Sequence, residues 1–275
     1  MKDKLYVIKI GGNIIDNKDA LLSFLQSFSL VEGKKILVHG GGKIATTTGD
    51  KLGIESKYIN GRRITDDAAI DMVTMVYGGL INKQITAKLQ SLKCNAIGVC
   101  GADMNLIPAT KRPPKMMATG EENKLQEIDF GWVGDIKNEQ LAVDNWQLLL
   151  GNNLVPVVAP LTHDGNGHIL NTNADTIASA IAIVLSSIYD VRLIYCFEKK
   201  GILENTEDEH AVISLITKQD YRQLLEAQKL FAGILPKIEN AFAAIDAGVH
   251  EVLIGHADDL QQNTGNKTTG TLIKA

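Results

Sequence analysis

Cysteine is scarce in this chain: Cys94, Cys100 and Cys196 are the only three in 275 residues, all in or beside apolar runs and none in Cys-x-x-Cys spacing. They read as buried thiols, and the pattern argues against a disulfide framework or a cysteine metal site. Long apolar runs are missing as well. No stretch reaches the roughly 18 uninterrupted apolar residues of a spanning helix, and Met1 to Ile10 lacks the organisation of a signal peptide, so a cytoplasmic protein is expected. Nor is there a surplus of positive charge, since 28 Lys and Arg stand against 32 Asp and Glu for a formal net charge of -4. That balance disfavours nucleic acid or an anionic membrane as the main partner and leaves small anions to be met by local cations. Two nucleotide signatures are absent too. No Gly-x4-Gly-Lys-Ser/Thr occurs, and Gly11-Gly12-Asn13 does not continue as Gly-x-Gly-x-x-Gly, which argues against a phosphate-loop NTPase and a dinucleotide oxidoreductase. Repeats of fixed period and low-complexity tracts are also missing, so solenoid and disordered-tail readings fall away.

What is present is an alternation of short β-branched runs with longer amphipathic stretches, in a chain that is 45% hydrophobic and 22% charged. Strands are predicted at about 5–10, 35–39, 96–100, 155–159, 191–196 and 251–255, and helices at about 19–28, 43–52, 66–91, 143–151, 174–187, 217–228 and 236–247. The expected fold is α/β, a three-layer αβα sandwich with a mostly parallel open sheet, helices on both faces and inserted β-hairpins. Residues 105–137 read as a polar loop between two short antiparallel strands. Asp164-Gly165-Asn166-Gly167 signals a second hairpin within 160–170; His163 and His168 flank it, as ordinary hairpin residues or as a metal pair. A division into lobes is placed near residue 172, giving 1–172 and 173–275.

Two glycine turns stand out. Lys9-Ile10-Gly11-Gly12 closes the first apolar run and His39-Gly40-Gly41-Gly42 the second. Consecutive glycines between a strand and a helix let backbone amides approach an anion, and the helix N-terminus adds partial positive charge. Lys9, at the carboxyl end of a central strand, sits where open α/β sheets bind ligands, although a lysine can also snorkel to a sheet edge. Asn171-Thr172-Asn173-Ala174-Asp175 leads into an apolar helix; capping explains one of its polar residues, and the others are available to orient cations or donate to a carboxylate. Lys237 follows Pro236 in the first turn of a helix, where a cation is unfavourable unless an anion lies close. Arg63 can pair bidentately with a carboxylate or sit solvated in a loop.

Taken together these residues resemble the amino-acid kinase superfamily, and within it the acetylglutamate kinases of arginine biosynthesis. The resemblance runs through Lys9-x-Gly11-Gly12, His39-Gly40-Gly41-Gly42, Asn60-Gly61-x-Arg63-x-Thr65, Asp129-x-Gly131-x-Val133-Gly134, Asn171-x-Asn173-Ala174-Asp175 and Gly233-x-x-x-Lys237, and covers nearly the whole chain. It implies ATP-dependent phosphorylation of the γ-carboxylate of N-acetyl-L-glutamate. Lys9 and Lys237 would stabilise the phosphoryl group in flight, and Asp175 would orient them. Gly41, Gly42, Arg63 and Asn171 would bind the acyl-glutamate within residues 1–172, with Asn173 at the boundary close to them. Gly11, Gly12, Glu198, Gly201, Leu203 and Lys229 would bind ATP, chiefly in 173–275, with Mg2+ held by the nucleotide phosphates and no protein metal cage.

Three departures from the family pattern matter. Cys196-Phe197-Glu198-Lys199-Lys200-Gly201 stands where the family usually has Ser/Thr-Asp-Val-x-Gly, so Glu198 takes the aspartate's place. Residues 111–126 are longer and more polar than the family leads one to expect, beside the substrate lid, which keeps N-succinyl-L-glutamate open as the acceptor. Carbamate, aspartate and glutamate are the other family acceptors, and a non-catalytic ligand sensor is the reading from a different class. The chain also starts almost at once with its first strand, without the N-terminal helix of similar arginine-inhibited hexamers. A homodimer without arginine feedback is expected, built partly through Ile70 to Leu80, unless that helix is simply core.

Overall fold

Strand β1 (Lys4–Ile10) is buried from Leu5 to Ile10, and Lys9 is the one charged residue in that run. Burial on both faces is the mark of a strand covered by helices on each side. In the computed structural model, which describes residues 2–119, 124–204, 208, 211–226 and 235–275, β1 lies inside an eight-stranded sheet. Its other members are β2 (Lys34–His39), β3 (Ala96–Val99), β4 (Val155–Val158), β5 (Asp190–Phe197), β6 (Leu215–Ile216), β7 (Glu251–His256) and β8 (Thr271–Ile273), in the order β6-β8-β7-β5-β1-β2-β4-β3. The six long strands foreseen from sequence pair in parallel. The two short ones were not foreseen: β8 runs antiparallel to β7, and β6 pairs with β8 at the edge.

Side-chain parity sorts the sheet into two faces. Leu5 and Val7 of β1, with Val191, Leu193 and Tyr195 of β5, join one apolar cluster; Tyr6, Ile8 and Ile10, with Ile194 and Cys196, join the other. The first face is covered by α6 (Val143–Gly151), α7 (Ala174–Leu185), α8 (Lys218–Glu226) and α9 (Leu235–Asp246). The second is covered by α2 (Lys18–Ser29), α4 (Asp67–Val73), α5 (Asn82–Ser91) and α10 (Leu260–Thr264). This is the three-layer α/β arrangement expected. Among the described residues no helix is long and apolar enough to cross a membrane. The three cysteines are free thiols; Cys94 and Cys196 are buried, and burial pushes the Cys196 thiol up to about 12, Lys9 opposing.

Local differences from the sequence reading have physical causes. Between β1 and α2 the chain makes a short α1 (Gly12–Asp16), then bends so that the Asn17 side chain caps α2 by accepting from Asp19 and Ala20. The single helix read at 66–91 holds a π-wound stretch, Thr74–Ile81, between α4 and α5. It contains Gly78-Gly79, and its far end delivers Asn82 into the sheet interior. In 105–137, Ala109–Lys111 pairs with Gly134–Ile136 as expected, but the loop between them folds as a second hairpin, Lys115–Thr119 with Lys124–Ile128. The 160–170 hairpin forms from Leu161–His163 and Ile169–Asn171. There His168 Nδ1 lies 2.7 Å from Asp164 and its ring stacks on Trp132, while His163 Nδ1 accepts from the Gly165 amide. Both histidines are therefore engaged in the turn.

Candidate active site

The first connection leads from β1 to β2 on one side and a later one brings β5 to the other, so the carboxyl ends of β1 and β5 form a switch point of the kind that opens a crevice in α/β sheets. A cleft of about 840 Å³ opens there. Lys9 is the next odd-numbered residue after Leu5 and Val7, so parity alone turns it toward α7 and α9. There its Nζ pairs with Asp175 Oδ1 at 2.8 Å. Asp175 is held in the first turn of α7 because Asn173 caps that helix, its Oδ1 accepting from the amides of Asp175 at 2.8 Å and Thr176 at 3.2 Å. Lys237, in the first turn of α9, lines the same cleft. Its pKa is lowered by burial, with Asp175 opposing and Lys9 adding to the shift. Asp175 is the one carboxylate lining the cleft among the described residues, so two ammonium groups face a single negative charge.

The two glycine turns differ in what they leave free. The Gly11 amide donates to the Cys196 carbonyl at 3.1 Å, which spends it on joining β1 to β5; Gly11 is not among the cleft-lining residues, whereas Gly12 is. The expectation that both amides are free for an anion is corrected: the Gly11 amide is used within the sheet. In the second turn Gly40, Gly41 and Gly42 all line the cleft, and α3 (Gly42–Lys51) starts at its end. Gly41 has φ of 141°, a conformation that L side chains rarely adopt, and a Cβ there would meet Ile81 Cδ1 at 2.3 Å. Below the turn, His39 Nδ1 contacts the Gly40 carbonyl at 2.8 Å and Nε2 lies 3.2 Å from Asn82 Nδ2. Burial depresses the His39 pKa to about 4, against a smaller opposing effect of the Gly40 hydrogen bond. A neutral ring that donates through Nδ1 and accepts through Nε2 satisfies both contacts.

Small hairpins also contribute to the cleft. Arg63 is buried beside Tyr58, its Cζ 4.9 Å from that ring. Its guanidinium donates to Ser56 Oγ, to the Gly42 carbonyl at 3.1 Å and to Thr46 Oγ1 at 2.9 Å. These partners are neutral, so its charge remains available to an anion. Asn171 donates to Thr65 Oγ1 at 3.0 Å, and the backbone of Trp132 joins their two segments, its amide donating to Thr65 and its carbonyl accepting from Asn171. Gly131 makes this seam possible: its φ is 69° and a Cβ would lie 2.2 Å from the Thr65 carbonyl oxygen.

The residues expected at the nucleotide fall elsewhere. Glu198 and Leu203 line a separate cleft of about 260 Å³ with His256, Asp258 and Asp259. Gly201 is buried against Thr271 and Val212, and Lys229 lies outside the described residues. Lys9, Gly12, Gly41, Gly42, Arg63, Asn171, Asn173, Asp175 and Lys237 are brought together; Gly11, Glu198, Gly201 and Leu203 are not in that cleft.

Three contributors escaped the sequence reading. Phe197 lies under both lysines, 5.2 Å from Lys9 Nζ and 3.7 Å from Lys237 Nζ to the ring centroid. Tyr58 packs on Arg63. Arg112 lines the cleft and binds Asp135 through two nitrogens, at 2.6 and 3.0 Å to one oxygen. Phe197 shares a face with Tyr195, and only the strand register that pairs Tyr195 with Lys9 gives that parity its meaning.

Comparison with known proteins adds independent observations. Residues 4–256 match the model of the amino acid kinase family. The chain is 50% identical to an acetylglutamate kinase of Cytophaga hutchinsonii over 275 residues, covering 99% of each chain. It is 48% identical to the acetylglutamate kinase of Phocaeicola vulgatus with complete coverage of both. Its fold is similar to that of the N-acetylglutamate synthase from Neisseria gonorrhoeae, complexed with coenzyme A and N-acetyl-glutamate, at a TM-score of 0.76 and 18% identity, over 99% of this chain and 59% of that one.

Proposed function

This chain belongs to the amino acid kinase family, and from that premise we infer that it is an acetylglutamate kinase, transferring the γ-phosphoryl group of ATP to the γ-carboxylate of N-acetyl-L-glutamate. The observation that carries the reading is the shared cleft, which Lys9, Asp175 and Lys237 line together with Arg63 and Asn171. Arg63 pairs with the α-carboxylate of the acceptor, and Asn171, fixed by Thr65, donates beside it. Gly41 and Gly42 present backbone to the acyl-glutamate, and Asn173 sets the start of α7 while lining the same wall.

Phosphoryl transfer asks the protein to hold two anions in line and to neutralise their repulsion. The γ-carboxylate is ionised near neutral pH, having a reference pKa of about 4.3, so no general base is needed. Lys9 and Lys237 supply positive charge where negative charge shifts during transfer, and the Gly12 amide adds a donor. Asp175 orients Lys9 by the 2.8 Å ion pair. Mg2+ would be held by phosphate oxygens, with Asp175 as the cleft's own carboxylate among the described residues. When bound it would neutralise charge on the triphosphate. Glu198 and Leu203 are assigned to the nucleotide, with residues 173–275 as the ATP-binding part and 1–172 as the acceptor-binding part of one continuous sheet. The reading includes a role in arginine biosynthesis, by way of an acyl phosphate product, and a cytoplasmic homodimer.

A second acceptor is supported by one feature. Arg62 stands beside Arg63 on the cleft wall, a cation that the extra carboxylate of N-succinyl-L-glutamate could use. ADP release should be measured with both acyl-glutamates, carbamate, aspartate and glutamate. Turnover of an acyl-glutamate is expected; turnover of another acceptor alone refutes the assignment, and ligand binding with no turnover of any acceptor supports a sensor instead.

A further inference from the structure

Two like charges share the reacting end of the cleft with one carboxylate to balance them, so something other than formal charge has to keep both ammonium groups there. Phe197, the last residue of β5, supplies it. Its ring centroid lies 5.2 Å from Lys9 Nζ and 3.7 Å from Lys237 Nζ, within the distance at which an aromatic face attracts a cation. Tyr195, two residues back on the same face of the strand, stacks against that ring with centroids 6.2 Å apart and 20° between planes.

We propose that Phe197 is a positioning residue that gathers Lys9 and Lys237 on one aromatic ring without cancelling the charge they present to the transferring phosphoryl group. The role rests on the kinase reading given above. A carboxylate at this position would pair with one lysine and remove the positive charge that transfer requires. An aliphatic side chain would let the ammonium groups separate, because each is repelled by the other. The ring quadrupole attracts both while adding no formal charge. Lys9 is then held from two sides, by Asp175 and by Phe197. Lys237 sits 3.7 Å from the ring centroid, and Asp175, Lys9 and the Tyr195 hydroxyl are titratable groups that line the same wall among the described residues.

The test compares Phe197→Leu with Phe197→Tyr. In protein carrying 13Cε-labelled lysine, the ring shifts the methylene signals of Lys9 and Lys237, identified by Lys9→Met and Lys237→Met. Those shifts should persist in Phe197→Tyr and vanish in Phe197→Leu. With ATP and acyl-glutamate, Phe197→Leu should lose about tenfold in kcat with little change in KM, the size expected for a partly desolvated cation–π contact. The basic limb of its pH profile should move to lower pH, since the ring favours charged Lys237, and Phe197→Tyr should restore both. Unchanged lysine signals in Phe197→Leu, or wild-type kcat and an unmoved basic limb, overturn the proposal. Should Phe197→Leu not fold, Phe197→Met carries the same expectations. The lysine signals are read without substrate, so failure of wild-type protein to phosphorylate any acceptor would refute the kinase reading and leave the placement of the lysines separately decided.

Discussion

Lys9 Nζ and Asp175 Oδ1 stand 2.8 Å apart, tying the carboxyl end of β1 to the first turn of α7. The pair fixes one ammonium group at the head of the cleft, while Lys237 approaches from α9. If both act chiefly on the transition state, replacing either with methionine should lower kcat by about 100- to 1,000-fold and leave the KM values close to wild type. Asp175→Asn keeps the shape and the helix start but loses the ion pair, so a smaller fall, of roughly 10- to 100-fold, is expected. Steady-state kinetics on the three variants decides it; wild-type kcat in both lysine variants would contradict the mechanism.

Arg63 should act on the acceptor rather than on transfer. Its guanidinium is already aligned by the Gly42 carbonyl, Thr46 and Tyr58, which leaves a fixed cation for a carboxylate. Arg63→Lys replaces a planar fork by a point charge, so the acyl-glutamate KM should rise by about 10- to 100-fold while the ATP KM and kcat change little. A change confined to the ATP KM would place the acceptor elsewhere.

Much of this was legible because it depends on local pattern. The apolar run Leu5–Ile10 identifies a strand buried on both faces, and once that is granted, Lys9 must share a face with Leu5 and Val7 and meet whatever covers them. Asn173 and Asp175 were readable as a helix start. What was hidden depends on partners distant in sequence: no pattern in Tyr195-Cys196-Phe197 says that two lysines from other elements converge on the ring. The Gly11 amide looked as free as that of Gly12 because its acceptor, the Cys196 carbonyl, belongs to another strand. Short edge strands such as Leu215–Ile216 give too few residues for alternation to show, and the π-wound turn keeps a helical composition.

The stretch from Ile70 to Leu80 has a core side, and its exposed side is where the proposed dimer can be tested. Met72, Val73, Val76 and Tyr77 are buried, while Met75 is 57% and Leu80 44% exposed on the opposite side. If the proposed homodimer uses this helix, these two exposed apolar side chains are the ones that would meet the second copy. Met75→Lys combined with Leu80→Lys should therefore halve the mass in sedimentation without loss of fold. A wild-type monomer, or an unchanged mass in the double variant, would remove the dimer contact from this helix.

His39 should make the fold sensitive to mild acid. The unfolded chain protonates this ring near its ordinary value of 6.5, whereas the folded protein resists until about 4, because burial disfavours the cation. Between those values the unfolded state binds more protons, so stability is complete above pH 6.5, falls as pH drops toward 4 and levels off below, a loss of up to about 3 kcal/mol from this group. Protonation would also cost the Nε2 contact with Asn82 and so loosen the turn at Gly40 to Gly42. His39→Gln cannot titrate there. It should be less stable at pH 7 yet show a flatter decline between pH 6.5 and 4 in urea unfolding, and an equally steep decline would assign the acid sensitivity to other groups.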